Sequence, residues 1–439
     1  MNKVVTVLAL GASISMLALS SAFAAEGKVI KWFEFYSIGS DAAAVRNSEW
    51  VDMVISQFEA ENPDWTVERE TALWDQLDQR SILDYNAGIP HDVMFSSPQL
   101  MAKHNVAGDY IDLTPFINAS WSEDEQNDLN WSAGWQAATF GEKQLAIPLG
   151  IHIRVNAYNL DLFEAAGLDP DKALTSPDEV LAAGKTLTKD GVWGLGLFMG
   201  NSRATIELTY APLVWHYGGD FYDSDAGKAT LASAASVKAV EWLYDAVHTA
   251  KITPPFAYAS DADYGNLVNA MFVNGQAAQT MGFGSYWIAD MEAAGMVSGC
   301  FPATAGCKIN SGSIMVQPSS VSAQFANSWN LSIHTGSEQP EMAFELINVA
   351  LRSENLAVYP DAGLPARLSE WSSPAYSSEF WQIWAKAAQT GRPMPQTAYY
   401  PELADVAAAA IQEALTGDRA DILALLTRVD EEWNRKYAD

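Results

Sequence analysis

Two hydrophobic periods alternate along this chain, and that alternation restricts its fold more than any other feature. Val29 to Phe35 is dominated by apolar residues and reads as a strand. From Trp50 to Glu61 the apolar positions Val51, Val54, Ile55 and Phe58 take helical spacing, and Asn62-Pro63 ends the segment because proline cannot continue a helix. A short apolar stretch, Asp92 to Phe95, then leads through Ser96-Ser97-Pro98 into another helix-like segment. The same grammar returns at Ala157-Tyr158 followed by Leu160 to Ala166, and again at Ala235 to Ala250 with Val237, Val240, Leu243, Tyr244 and Val247 apolar. Strands alternating with helices imply an α/β fold, and the length suits two such lobes. The last third is helix-rich, and no repeat, low-complexity tract or long linker interrupts the pattern, so short crossings rather than a tether are expected between lobes.

The first residues read differently. Met1-Asn2-Lys3 is a charged start, Val4 to Leu19 is almost wholly apolar or small, and Ala22-Phe23-Ala24 ends the segment in an Ala-x-Ala pattern. This is the layout of a cleaved secretory signal, residues 1–24, with the cut expected after Ala24. The apolar run holds Gly11, Ser13 and Ser15 and is short for a membrane span. No cysteine follows the expected cut, so a soluble exported protein without a lipid anchor is expected.

The chain carries 54 acidic against 25 basic residues, a formal net charge of −29, which repels polyanions and leaves no basic footprint for a nucleic-acid partner. Its two cysteines, Cys300 and Cys307, stand close together with Pro302 and Gly306 between them. In an exported chain this reads as a local disulfide, contributing about 2–3 kcal/mol in the chain-entropy model. Without a nearby histidine the two thiols cannot complete a tetrahedral zinc site. Asp223-Ser224-Asp225-Ala226-Gly227 has part of a calcium loop, but Ala234 stands where the closing glutamate belongs, so a solvated turn is the better reading and no metal or cofactor is expected.

Several segments, taken in order, resemble the extracellular solute-binding proteins of sugar transporters, the broad group that includes maltose-binding protein. Gly141-Glu142-Lys143-Gln144-Leu145-Ala146-Ile147-Pro148 and Val155 to Phe163 with Ala166-Gly167-Leu168 are similar to that family's most recognisable run. Leu113-Thr114-Pro115, Gly218-Gly219, Tyr222 to Lys228, Ala270 to Ala278 and Gly284-Ser285-Tyr286-Trp287 follow in the family's order over nearly the whole mature chain. The resemblance implies two α/β lobes, each discontinuous in sequence, joined by a three-stranded hinge. It places the crossings near 151–154, 298–302 and 359–364. One lobe would then comprise 25–150 and 303–358, the other 155–297 and 365–439. It also implies a monomer that serves a membrane permease of an ABC transporter from the periplasm.

A saccharide or polyol needs aromatic walls and side chains that both donate and accept hydrogen bonds. In the first lobe, Glu34 and Tyr36 end the first strand where the family places contacts, and Ser96 and Ser97 follow the next apolar strand. His152 lies at the first crossing. In the second lobe Glu207 and Tyr210 precede the Gly218-Gly219 turn, and one of Tyr286 and Trp287 is expected to line the cleft while the other joins the core. Trp329 and Asn330, in Ser328-Trp329-Asn330, and Tyr399 and Tyr400, after Pro393 and Pro395, complete the candidate set by resemblance. Few cationic residues accompany them, Arg154 being the main exception, so a neutral ligand is expected. The rival class is a secreted glycoside hydrolase, which needs two carboxylates held at a defined separation across a cleft. The chain has no His-Glu-x-x-His, no Gly-x-Ser-x-Gly and no phosphate-cradling glycine loop, and a binding protein without catalytic activity is the preferred reading.

Overall fold

The computed structural model describes residues 28–36, 42–73, 76–169, 172, 174–254, 270–293, 295, 297–298, 308–309, 314–317, 324–359 and 364–438. The expected signal segment and both cysteines lie outside these residues. Among the described residues no helix is long and apolar enough to cross a membrane.

The organising element is a twisted sheet of strands β1 (Lys28–Glu34), β2 (Trp65–Thr71), β3 (Val93–Ser96), β4 (Ile147–Asn159), β5 (Gln279–Gly284), β6 (Ile314–Gln317) and β7 (Ala326–Ile333). β2, β1 and β3 run parallel, β1 at the centre, and β7 lies antiparallel between β3 and β4. The parallel connections pass through helices α1 (Ala42–Glu61) and α2 (Leu77–Asn86), the crossover that parallel strands require. α1 buries Trp50, Val51, Val54 and Phe58 against the sheet, so the helical spacing read from the sequence is the buried stripe itself. The helix starts at Ala42, earlier than the apolar pattern showed.

Two large hydrophobic clusters, with a smaller third around Tyr158 and Phe163, divide the described residues. The first packs Trp32, Phe33, Val51, Phe58, Phe95, Leu149, Leu331, Ile333 and Phe344, and the second packs Ile151, Val155, Trp215, Phe221, Trp242, Phe283, Phe325, Trp381 and Trp384. β4 leaves the first cluster at Leu149 and enters the second at Ile151. β7 returns in the opposite sense, with Ala326 in the second cluster and Trp329 in the first. Leu364 of the second cluster, with Tyr359 and Ala366 of the first close to it in sequence, bonds the β4 passage: the Ile151 N–H donates to the Leu364 carbonyl at 3.1 Å. The strands meet closely because position 150 is glycine; a Cβ there would lie 2.3 Å from the Tyr359 ring.

The second passage is therefore corrected. It had been expected at 298–302, with 303–358 in the first lobe. Instead Val297–Ser298 pairs with Lys308–Ile309, and Ile314–Gln317 pairs with Asn156 to Asn159 in the part of β4 beyond the first cluster, where Ala157 belongs to the second. The change of lobe occurs inside β7, between Ala326 and Trp329.

Candidate ligand cleft

The sheet brings the ends of several strands and one helix of the second lobe to a common junction. β3 ends at Ser96, and Ser97 leads into a tight turn, Pro98–Leu100, whose Gln99 is 8% exposed. That turn packs against helix α5 (Tyr400–Thr416) of the second lobe; the intervening labels α3 and α4 denote Met101–Ala107 and Pro340–Ala350. Facing it is the helical stretch 203–216, whose middle, Ile206–Tyr210, is a wide turn in which the Ala211 N–H donates to the Ile206 carbonyl five residues back.

Glu207 on that turn is the centre of the junction. The Tyr400 hydroxyl donates to Glu207 Oε1 at 3.0 Å, and the side chain of Gln99 reaches Glu207 from the other lobe. Burial raises the pKa of Glu207, while the charge of Arg203, the Tyr400 hydrogen bond, the charge of Arg154 and the Gln99 hydrogen bond oppose that rise. Tyr400 is fully buried, and burial together with the neighbouring carboxylate pushes its hydroxyl well above the ordinary range.

Beside this polar cluster runs an aromatic wall. Trp329 on β7 lies 4.5 Å from Phe35, centroid to centroid, and the His152 ring meets it edge-on at 6.1 Å and 85°. Tyr36 continues the wall: its ring is 4.9 Å from Phe95 and its hydroxyl bonds the Tyr359 hydroxyl. A mixed lining of aromatic faces and polar groups can cover apolar C–H surface while exchanging hydrogen bonds with hydroxyls.

The structure thus brings Tyr36, Ser97, His152, Glu207, Trp329 and Tyr400 to the junction, and gives other candidates different surroundings. Glu34 is wholly buried in an ion pair with Arg69, whose Nη2 is 3.0 Å from Oε1, and it accepts the Tyr36 N–H. The Ser96 hydroxyl is paired with Ser332 Oγ at 2.8 Å inside the sheet. The Ser328 hydroxyl donates to Asn330 Oδ1 at 2.6 Å, and Ser328 lies under Gly134, which turns this pair toward the helix Ala133–Ala137. Tyr210 packs on Phe221 at 5.7 Å and Trp287 on Phe283 at 5.3 Å, both in the core of the second lobe. Tyr399 is 43% exposed and meets the Tyr437 ring at a tilt of 39° and 4.9 Å, so it does not share the surroundings of Tyr400. Of Tyr286 only the backbone turn Ser285–Trp287 is described.

Phe35, Gln99 and Arg203 were not among the residues singled out in the sequence. Gln99 had a local signal: a polar side chain one residue beyond the Ser-Pro that follows a buried strand. Arg203 opens the helical stretch after Ser202, but nothing in its neighbourhood distinguishes it from a surface arginine.

Residues 43–357 match the family described as "Bacterial extracellular solute-binding protein". The chain belongs to this family. A solved structure of an ABC transporter solute-binding protein from Thermotoga lettingae, bound with alpha-D-tagatose, superposes on the present solute-binding protein with a TM-score of 0.75 at 21% identity, covering 93% of this chain and 99% of that one. A second, from Agrobacterium radiobacter in complex with ribitol, gives a TM-score of 0.69 at 19% identity over 92% and 98%. These likenesses show the two-lobed periplasmic binding protein fold. Among curated sequences, the "Probable amino-acid ABC transporter periplasmic-binding protein y4oP" of Sinorhizobium fredii is 30% identical over 139 residues, 32% of this chain and 31% of that protein. The present chain matches such relatives over about a third to about half of their length.

Proposed function

We propose that this solute-binding protein captures a carbohydrate or polyol between its lobes, in the periplasm, and delivers it to the membrane permease of an ABC transporter. The observation that carries the reading is the cross-lobe cluster in which Glu207 accepts the Tyr400 hydroxyl within the second lobe and meets the side chain of Gln99 from the first, beside the aromatic wall of Phe35, Trp329 and His152. Gln99 reaches Glu207 only when the lobes meet, and two continuous strands, β4 and β7, supply a hinge for that motion. Relatives that bind tagatose and ribitol support a polyhydroxylated ligand. A glycoside hydrolase would hold a second carboxylate about 5–9.5 Å from the first. The groups that act on the charge of Glu207 are two arginines, a tyrosine and a glutamine, a set suited to hydrogen bonding a ligand. The exported, soluble and monomeric state follows from the same reading together with the signal pattern of residues 1–24.

A thermal-shift screen over neutral sugars and polyols tests the class, because a ligand that binds only the folded state at a hundred times its Kd adds about 2.7 kcal/mol of stability. Uronic acids and phosphorylated polyols belong in the screen, since Arg154 and Arg203 outnumber Glu207 among the described cleft charges. Binding confined to those acids would move the substrate class to anionic saccharides. Small-angle scattering should show compaction with the best neutral ligand, and a saturated protein of unchanged radius would reject lobe closure.

A further inference from the structure

We propose that His104, buried away from the cleft, is the positioning residue for the 97–99 turn: through Asp78 it anchors Ser97 and so aims Gln99 at Glu207. The geometry is a chain of buried hydrogen bonds. His104 Nδ1 lies 2.9 Å from Asp109 Oδ2, and Nε2 lies 2.9 Å from Asp78 Oδ1. The other oxygen of Asp78 accepts the Ser97 hydroxyl at 2.9 Å. Ser97 precedes Pro98, whose ring fixes φ, and Gln99 is the next residue, so the anchor is passed on through a stiff dipeptide.

The sequence builds this arrangement locally. α2 carries Asp78 in its first turn, and α3 carries His104 in its last. Gly108 then takes φ +69°, donates its N–H to the His104 carbonyl at 2.8 Å and turns the chain back so that Asp109 meets the ring. The groups that face His104 are Asp78 and Ser81 from α2, Asp109 and Tyr110 after α3, and His334 beyond β7. The Tyr110 ring stacks on the imidazole at 4.2 Å and 18°.

Nδ1 faces Asp109 and Nε2 faces Asp78, and both nitrogens can donate at once only in the imidazolium. Burial pulls the His104 pKa down, but the hydrogen bonds and charges of Asp109 and Asp78 outweigh it and raise the value to about 9. Removing that proton strips one buried carboxylate of its donor. Asp78 is then free to turn from Ser97, and the turn loses its anchor.

The test is hydrogen exchange of the mature protein between pH 7.5 and 10, corrected for intrinsic rates, read on a peptide covering Val93 to Met101 with an α1 peptide of the same lobe as control. Histidine-selective ¹⁵N NMR locates the His104 titration in the same samples. The wild-type turn should lose protection at least tenfold as pH passes about 9, with a smaller change in α1, and His104→Gln, which keeps a donor but does not titrate, should show no such step. Ser97→Ala should lose turn protection at every pH while His104 still titrates, which keeps the test decisive should His104→Gln fail to fold. A flat wild-type profile, the same step in His104→Gln, or an undisturbed turn in Ser97→Ala would overturn the proposal. The purpose given to Gln99 rests on the cleft reading. The measurement uses no ligand, so its failure and a failure to bind saccharide are separate results.

Discussion

Replacing Arg69 by methionine removes the guanidinium that meets Glu34, a carboxylate with no solvent exposure at the end of β1. Both Nε at 3.2 Å and Nη2 at 3.0 Å donate to Glu34 Oε1, while Nη1 serves Ser48 Oγ at 3.2 Å and Asp52 on α1. Breaking a buried pair by removing one partner costs about 3–5 kcal/mol, against about 0–1 kcal/mol for an exposed pair. The Arg69 side chain is 18% exposed and Glu34 is not exposed at all, which places the loss near the lower end of the buried range, about 3 kcal/mol. In urea, with a slope of about 2 kcal/mol/M, the transition of the first lobe should fall by roughly 1.5 M. The double variant Glu34→Met with Arg69→Met should recover most of that loss, because apolar replacement of a whole buried pair is often neutral. Urea unfolding followed by circular dichroism on the two single variants and the double measures the coupling directly. A loss below about 1 kcal/mol in Arg69→Met, or a double variant no better than the single, would refute the reasoning. Glu34→Gln adds the functional half: sugar affinity should stay within about twofold, and a tenfold loss at unchanged stability would return Glu34 to the ligand shell.

His104 holds its proton to about pH 9 in the folded protein against about 6.5 unfolded, so the stability it contributes is fully present below pH 6.5 and is lost as pH rises through 9; urea midpoints at pH 6, 8 and 9.5 should register a loss of about 3 kcal/mol that His104→Gln lacks. Trp329→Ala should weaken binding of the best sugar from the screen at least tenfold by calorimetry, while Tyr399→Ala, on an exposed ring, should change it by less than about twofold. Cys300 and Cys307 should be joined in protein purified from the exported fraction, and intact-mass measurement finding two free thiols there would reject the pairing.

The parts of the fold legible in the sequence are those where burial is one-sided. α1 shows Val51, Val54, Ile55 and Phe58 on one stripe because its other face meets water, but its first turns, with Arg46, Asn47 and Ser48, bury too little to leave a period. The β7 crossing was illegible for the opposite reason. All eight of its residues are buried, and it changes lobe with no glycine or proline to mark the place, so the turn-rich segment near 298–302 looked the better boundary.

The same logic explains why the cleft was only half legible. Glu207 and Tyr210 are three residues apart, a spacing that puts two side chains on one face of an α-helix, and they were read together as ligand contacts. The chain instead widens to i→i+5 bonding over Ile206–Tyr210, which rotates one side chain away from the other: Glu207 meets Tyr400 and Gln99 at the cleft, and Tyr210 packs on Phe221 in the core. Pro212 gives a local reason for irregularity, since it lacks an N–H and its ring crowds the carbonyl four residues back, at Leu208. A proline at the second position after the wide turn therefore couples sequence to site geometry. On the proposed function, the residue that looks like an ordinary helix start would bear on which of the two side chains, Glu207 or Tyr210, is presented to the cleft.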